Sequence, residues 1–226
     1  MENKETVLVT GGSGFIASHC IIQLAAAGYN VRATVRDLSR TNKLNQTLLN
    51  GLEKHEGKSD LSVDWQVANL SSDEGWEEAV RGCDYVLHVA SPIAMQLPKN
   101  EDEMVKPAVE GTLRVLKAAS KAGVKRVVIT SSVAAIMYGT DKQGVFNEED
   151  WTNPESNTTN VYAKSKTLAE KAAWDFMEQD TSGMELSTVL PAMVFGPILE
   201  EDFGVSVGAI LDLSLIHISE PTRPID

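Results

Sequence analysis

Residues 6–36 read TVLVTGGSGFIASHCIIQLAAAGYNVRATVR. An apolar run, Val7 to Val9, is followed by Gly11-Gly12-Ser13-Gly14, an alanine- and leucine-rich segment closing at Gly28, and a second β-branched run, Val31 to Val35. That order predicts strand, tight turn, helix and strand: one βαβ unit with a phosphate-binding turn at its first corner. Gly11 lets the chain turn tightly, Gly14 leaves room for a pyrophosphate against the backbone, and Ala17 lets the helix pack closely on the strand. The helix N-terminus offers unpaired N–H groups and the positive end of its dipole to the phosphates.

Outward from this unit, strand and helix patterns alternate. Further strands are predicted over 61–67, 85–89, 124–130 and 186–190, and helices over 39–54, 73–81, 101–122 and 160–179. The runs YVLHV and VKRVVIT lack polar alternation, which suits a parallel sheet covered on both faces. Short strands separated by helices imply right-handed crossovers, so the predicted fold class is α/β, a doubly wound parallel sheet. Residues 139–160 form a polar, turn-rich loop of the length often used as a functional lid.

With 226 residues the chain suits one large domain, or one and a fraction. A net charge of -12 argues against nucleic-acid and anionic-membrane surfaces, whose phosphates bind clustered Lys and Arg. No stretch reaches the roughly 18 apolar residues of a membrane span, and the first residues lack a signal-peptide core. Cys20 and Cys83 are expected to be reduced thiols, and the compartment the cytoplasm. Cysteine and histidine spacing suggests no metal site. His88, within a buried strand, is expected to be a packed core histidine, and Lys164 a solvated cation.

The end of the second strand selects the nucleotide. NAD binders place an acid there for the ribose hydroxyls. Here the slot holds Val35 or Arg36, with Asp37 one further on. A guanidinium grips a 2′-phosphate that a carboxylate would repel, so Arg36, helped by Arg32 or Lys43, points to NADP(H).

Tyr162 and Lys166 stand four apart, on one face of a predicted helix that Ser165, Ala169, Ala173 and Phe176 continue toward the sheet. A lysine ammonium favours the phenolate and lowers the tyrosine pKa. Tyr162 can then give a proton to a carbonyl oxygen during reduction and take it back in reverse. Ser131 and Ser132 end a predicted strand, where open α/β sheets bind ligands. A hydroxyl there can hold the substrate oxygen; Ser132 is the first choice and Ser131 the second.

Together these segments resemble the extended short-chain dehydrogenase/reductase family, in its dihydroflavonol-reductase-like and microbial aldehyde-reductase branch. The motifs are LVTGGSGFIASH, VRATVRD, YVLHVASP, EGTLRVLKAA, VKRVVITSSVAA, YAKSK and VLPAMVFGP, in family order. The resemblance implies a Rossmann fold and a catalytic set of Ser132, Tyr162 and Lys166. It implies cofactor contacts at Gly11, Gly14, Phe15 and Ile16, and 2′-phosphate contacts at Arg36 and Lys43. Asn69-Leu70 stands where the family usually has Asp-Leu beside the adenine. Val89, Ala90 and Ser91 match the segment lining the cofactor on the fourth strand, and Pro191 to Val194 the segment near the nicotinamide.

On this reading residues 1–195 are the NAD(P)-binding Rossmann domain and residues 196–212 begin a smaller substrate domain. The last residues, 213–226, depart from the family pattern and resemble an in-frame translation of a sequencing-library adapter, so they are expected to be non-native. The expected function is NADPH-dependent reduction of a small-molecule aldehyde or ketone by a monomer or homodimer. One rival is an NAD-dependent sugar-nucleotide epimerase or dehydratase, which would favour an acid where Arg36 stands. Others are a non-catalytic NADP-binding protein, which would not need the Tyr-Lys pair, and an inactive fragment.

Overall fold

The first βαβ unit forms where the pattern places it. Val7, Leu8 and Val9 are buried in strand β1 (Thr6–Val9), and the turn feeds helix α1 (Phe15–Ala27). Gly28 ends α1 in a left-handed conformation, φ +92°, and its amide bonds back to the last carbonyls. Strand β2 (Asn30–Val35) then runs parallel to β1. In this computed structural model residues 4–56, 60–92, 100–199 and 208 are described. The expected second-domain start beyond Leu199 and the tail 213–226 lie outside them, apart from residue 208.

After β2 come helix α2 (Thr41–Glu56), strand β3 (Val63–Val67), helix α3 (Trp76–Val80) and strand β4 (Tyr85–His88). Helix α4 (Asp102–Ala122), strand β5 (Arg126–Thr130), helix α5 (Val161–Gln179) and strand β6 (Glu185–Val189) follow. The sheet has the order β3-β2-β1-β4-β5-β6 and every pairing is parallel. This is the doubly wound arrangement expected. Its strand order reverses between β1 and β4, and ligands of such sheets bind beyond the carboxyl ends of the strands at that point.

Alternation along each strand sends neighbours to opposite faces. Val9, Val31 and Ala33 pack with Ala17, Ile21 and Leu48 of α1 and α2. Leu8, Val86 and Val127 pack with Val80, Leu116 and Ala173 of α3, α4 and α5. Burying one leucine of this kind contributes about 1.5–3 kcal/mol.

Helix α3 is shorter than the predicted 73–81. Gly75 caps it at φ +84°, where a Cβ would lie 2.0 Å from the Val67 carbonyl oxygen. The Trp76 indole donates to the Asn69 and Ser72 carbonyls, so the preceding residues close a turn instead. The 139–160 loop is pinned to the fold at Thr152. Its hydroxyl donates to the Ala134 carbonyl at 2.8 Å and accepts from the Tyr138 amide at 2.8 Å. Lys171 of α5 lies over the Trp151 ring at 5.1 Å, a further tie between this loop and α5.

Two cations, Lys164 and Arg32, have structural work. Lys164 is not solvated; it pairs with Glu101 at 3.0 Å and Glu155 at 3.8 Å, tying α5 to the start of α4. Arg32 pairs with Asp64 at 2.6 Å and donates to the Ala79 and Arg81 carbonyls at 3.1 and 2.7 Å. It caps the carboxyl end of α3, so it does not assist Arg36. Cys20 and Cys83 are free thiols, and burial raises both pKa values.

Candidate active site

The glycine turn approaches its neighbours at two points. Gly11 sits at φ +69°, and a Cβ there would meet the Ala90 Cβ at 3.0 Å. Gly12, to which the sequence pattern assigns no role, is tighter still. A Cβ would lie 2.7 Å from Trp65 Cζ3 and 2.9 Å from the Ala33 Cβ, and the Trp65 indole is fixed by donating to the Asn45 side-chain Oδ1 at 2.8 Å. Gly12→Ala is expected to cost about 1–3 kcal/mol of stability by overpacking, read as a lower urea midpoint. An unchanged midpoint would show that the contact yields freely.

Above the turn the space is open. A Cβ on Gly14 would meet only the Gly11 carbonyl oxygen, at 3.3 Å. Gly14 is the N-cap of α1 without a side-chain cap, so the amides of Phe15 and Ile16 in the first turn are left to an external acceptor. That first turn carries no acid. These features fit the diphosphate of a dinucleotide.

Thr10, also without a role in the pattern, is the hub below the turn. Its hydroxyl meets His88 Nδ1 at 2.9 Å and accepts from the Ala90 amide at 3.0 Å. It thereby ties β1 to the Val89-Ala90-Ser91 segment that leaves β4. His88 is the core histidine expected: burial, then the nearby Lys166 cation, depress its pKa to about 3. It is therefore neutral at physiological pH.

At the end of β2, Arg36 is exposed. Asp37 turns away to cap the 3₁₀ turn that follows; its carboxylate accepts from the Ser39 amide at 2.9 Å and the Ser39 hydroxyl at 2.5 Å. Those bonds hold the carboxyl below its usual range and occupy the acid that would otherwise serve ribose hydroxyls. Lys43 lies exposed in the first turns of α2. Asn69 is exposed and folds its side chain onto the Ser71 amide, and Leu70 packs against Gly111 of α4.

The structure separates the two serines. The Ser131 hydroxyl donates to the buried Glu170 carboxylate of α5. The Ser132 oxygen caps a short 3₁₀ turn, Val133–Ala135, by accepting from the Ala134 amide at 3.1 Å. That leaves the Ser132 proton for an outside oxygen, and the turn packs against α5.

Asn160 caps α5 through the Ala163 amide at 2.9 Å. One turn later the stripe predicted to face the sheet does so: Ser165, Ala169 and Ala173 are buried. Lys166, only 7% exposed, donates to the Thr130 carbonyl at 3.2 Å, and its Nζ lies 6.0 Å from the centre of the Tyr162 ring.

Burial lowers the Lys166 pKa to about 8, with Glu170 opposing the drop. The unfolded lysine titrates near 10.4. Between these values the unfolded chain holds more protons, so stability from this group rises as pH climbs through that window. The swing is on the order of 3 kcal/mol. Urea midpoints of the native chain should therefore gain on those of Lys166→Met from about pH 8 to pH 10; parallel midpoints would refute the burial effect.

The segment after β6 closes the crevice. The Pro191 carbonyl accepts from the Val133 amide at 3.1 Å, and the Pro197 carbonyl meets His19 Nε2 on α1 at 3.0 Å. Residues 191–197, including Val194, thus run from beside Ser132 to the start of α1. A groove of about 450 Å³ along β6, lined by Ile136, Trp151, Glu170, Trp174 and Leu190, lies at the edge of the sheet beside the Ser132 turn. Among the described residues no cluster could hold a metal ion, and no helix is long and apolar enough to cross a membrane.

Sheet order, glycine turn and uncapped α1 together define a Rossmann-type dinucleotide-binding domain. The NAD dependent epimerase/dehydratase family model matches residues 7–213, and the chain belongs to that family, the extended short-chain dehydrogenases/reductases. It is 40% identical over 205 residues to dihydroflavonol 4-reductase of Arabidopsis thaliana, covering 88% of this chain and 52% of the relative. It is 38% identical over 218 residues to an anthocyanidin reductase of Vitis vinifera, covering 93% and 62%. Among solved structures, the yeast methylglyoxal/isovaleraldehyde reductase complexed with NADPH superposes with a TM-score of 0.78 at 31% identity, covering 98% of this chain and 68% of that one. The chain thus spans between half and two thirds of the length of these curated relatives.

Proposed function

We propose that this chain is the cofactor-binding and catalytic part of an NADPH-dependent reductase of aldehydes or ketones. The observation that carries the reading is the buried Lys166 beneath Tyr162, on the helix packed against the Ser132 turn and at the carboxyl edge of the sheet that holds the glycine turn. The three similar proteins named above are reductases, one of them complexed with NADPH.

When bound, the nicotinamide cofactor supplies the hydride. The amides of Phe15 and Ile16, with the turn from Gly11 to Gly14, hold the diphosphate, and Arg36 with Lys43 takes the 2′-phosphate. Asn69 and Leu70 flank the adenine. Val89, Ala90 and Ser91 line the cofactor from β4, and Pro191 to Val194 border the nicotinamide side. Ser132 donates a hydrogen bond to the carbonyl oxygen and stabilises its developing charge. Tyr162 delivers the proton, and Lys166, beneath its ring, holds the ribose.

The test is NADPH oxidation by a protein carrying this chain, screened over aldehydes and ketones. Consumption that depends on a carbonyl compound and yields the alcohol supports the reading; none across the panel, with NADPH bound, contradicts it.

A further inference from the structure

Behind the catalytic candidates lies a buried polar cluster that the reaction as described does not use. Glu170 sits one helical turn beyond Lys166 on the sheet-facing side of α5, where residues four apart are neighbours. It is 5% exposed and accepts from the Ser131 hydroxyl. Lys166, Glu170, Ser131 and His88 line one cavity of about 20 Å³, the size of a single water site.

Burying an isolated carboxylate is costly unless it is hydrogen-bonded and faces a cation. Glu170 has both: the Ser131 donor, and Lys166 across the cavity. Every buried side-chain polar atom among the described residues has a partner, so the cluster is satisfied as built. The groups facing Lys166 are few. Tyr162 and Glu170 share its helix, and His88 comes from β4. Ala108 and Thr112 of α4, and Thr130 and Ser131 at the end of β5, carry no charge. His88 is held by Thr10, which leaves Glu170 as the one anion among the described residues lining the cavity.

We propose that Glu170 is a positioning residue: clamped by Ser131, its carboxylate keeps the Lys166 ammonium in place under Tyr162. Ser131 then serves the anion behind the lysine, while Ser132 faces the substrate. Coulomb attraction of this kind works against the burial that discharges Lys166. The inference rests on the reductase reading for its purpose, but its geometry stands without it.

The test titrates Lys166 directly, by NMR of the chain labelled with ε-¹³C-lysine, assigned by loss of its signal in Lys166→Met. Glu170→Gln keeps an acceptor for Ser131 but removes the charge, and is expected to lower the Lys166 midpoint by about one pH unit. Ser131→Ala keeps the charge and frees the carboxylate toward the ammonium, and is expected to raise it. An unmoved midpoint in folded Glu170→Gln overturns the proposal. If that variant does not fold, an unmoved midpoint in Ser131→Ala overturns it. The measurement needs neither cofactor nor substrate, so its failure is distinct from an absence of NADPH oxidation.

Discussion

Tyr162→Phe will reduce carbonyl turnover by about 10²–10⁴-fold while NADPH affinity stays close to that of the native protein. The substitution keeps the ring that sits 6.0 Å from Lys166 Nζ and removes only the hydroxyl. Packing of α5 is therefore preserved, and a fall in rate reports the missing proton donor. Neither His88 nor Ser132 replaces it easily. His88 is neutral and bonded to Thr10 within the core, and Ser132 lacks a base to restore its proton among the hydrogen bonds that hold it. Single-turnover reduction at saturating NADPH is the measurement. A rate within a few-fold of native would remove Tyr162 from the proton transfer.

Arg36→Asp will cut the preference for NADPH over NADH by about 10- to 100-fold, since hydrogen bonds to charged groups contribute roughly 1.5–3 kcal/mol each and 1.4 kcal/mol is a factor of ten. Part of the loss is repulsion of the 2′-phosphate by the new carboxylate, and Lys43 sets what preference is left. The native acid one position on cannot play that part, because Asp37 is engaged by Ser39. Fluorescence titration with each nucleotide gives the ratio of dissociation constants. An unchanged ratio would place the phosphate away from the end of β2.

The doubly wound parallel sheet and the βαβ corner were legible because each depends on local pattern: continuous apolar runs, small residues at fixed spacing, and a helix between parallel strands. So was the sheet-facing stripe of α5, since helical spacing alone puts Ser165, Ala169 and Ala173 on one side. What escaped depends on partners far apart in the chain. Arg32 reads as an aid to Arg36 until Asp64 and the end of α3 are brought to it. The closeness of Gly12 to Trp65 requires β3 to sit outside β2. Thr10 and His88 are 78 residues apart and meet only once β4 pairs with β1. Glu170 was within reach, since four residues after Lys166 on a buried stripe is a spacing already in use, but its serine partner comes from another strand.

The different partners of Ser131 and Ser132 likewise emerge only in the structure. Adjacent residues at a strand end point to opposite sides. Ser131 turns toward α5 and Glu170, whereas the Ser132 oxygen accepts from the Ala134 amide in the turn whose Val133 amide meets Pro191. Exposed apolar side chains at Val189, Met193, Phe195 and Ile198 mark the segment around Pro191.

Epimerisation and dehydration are redox-neutral overall, so a nicotinamide that took part would be returned unchanged, whereas a reductase consumes it. The most direct measurement is therefore deuterium transfer from [4-²H]NADPH, tested in both C4 forms, with a carbonyl substrate and product analysis by mass spectrometry. The account predicts one deuterium on the carbinol carbon and one NADPH oxidised for each alcohol formed. Product formation with no net NADPH oxidation would contradict it.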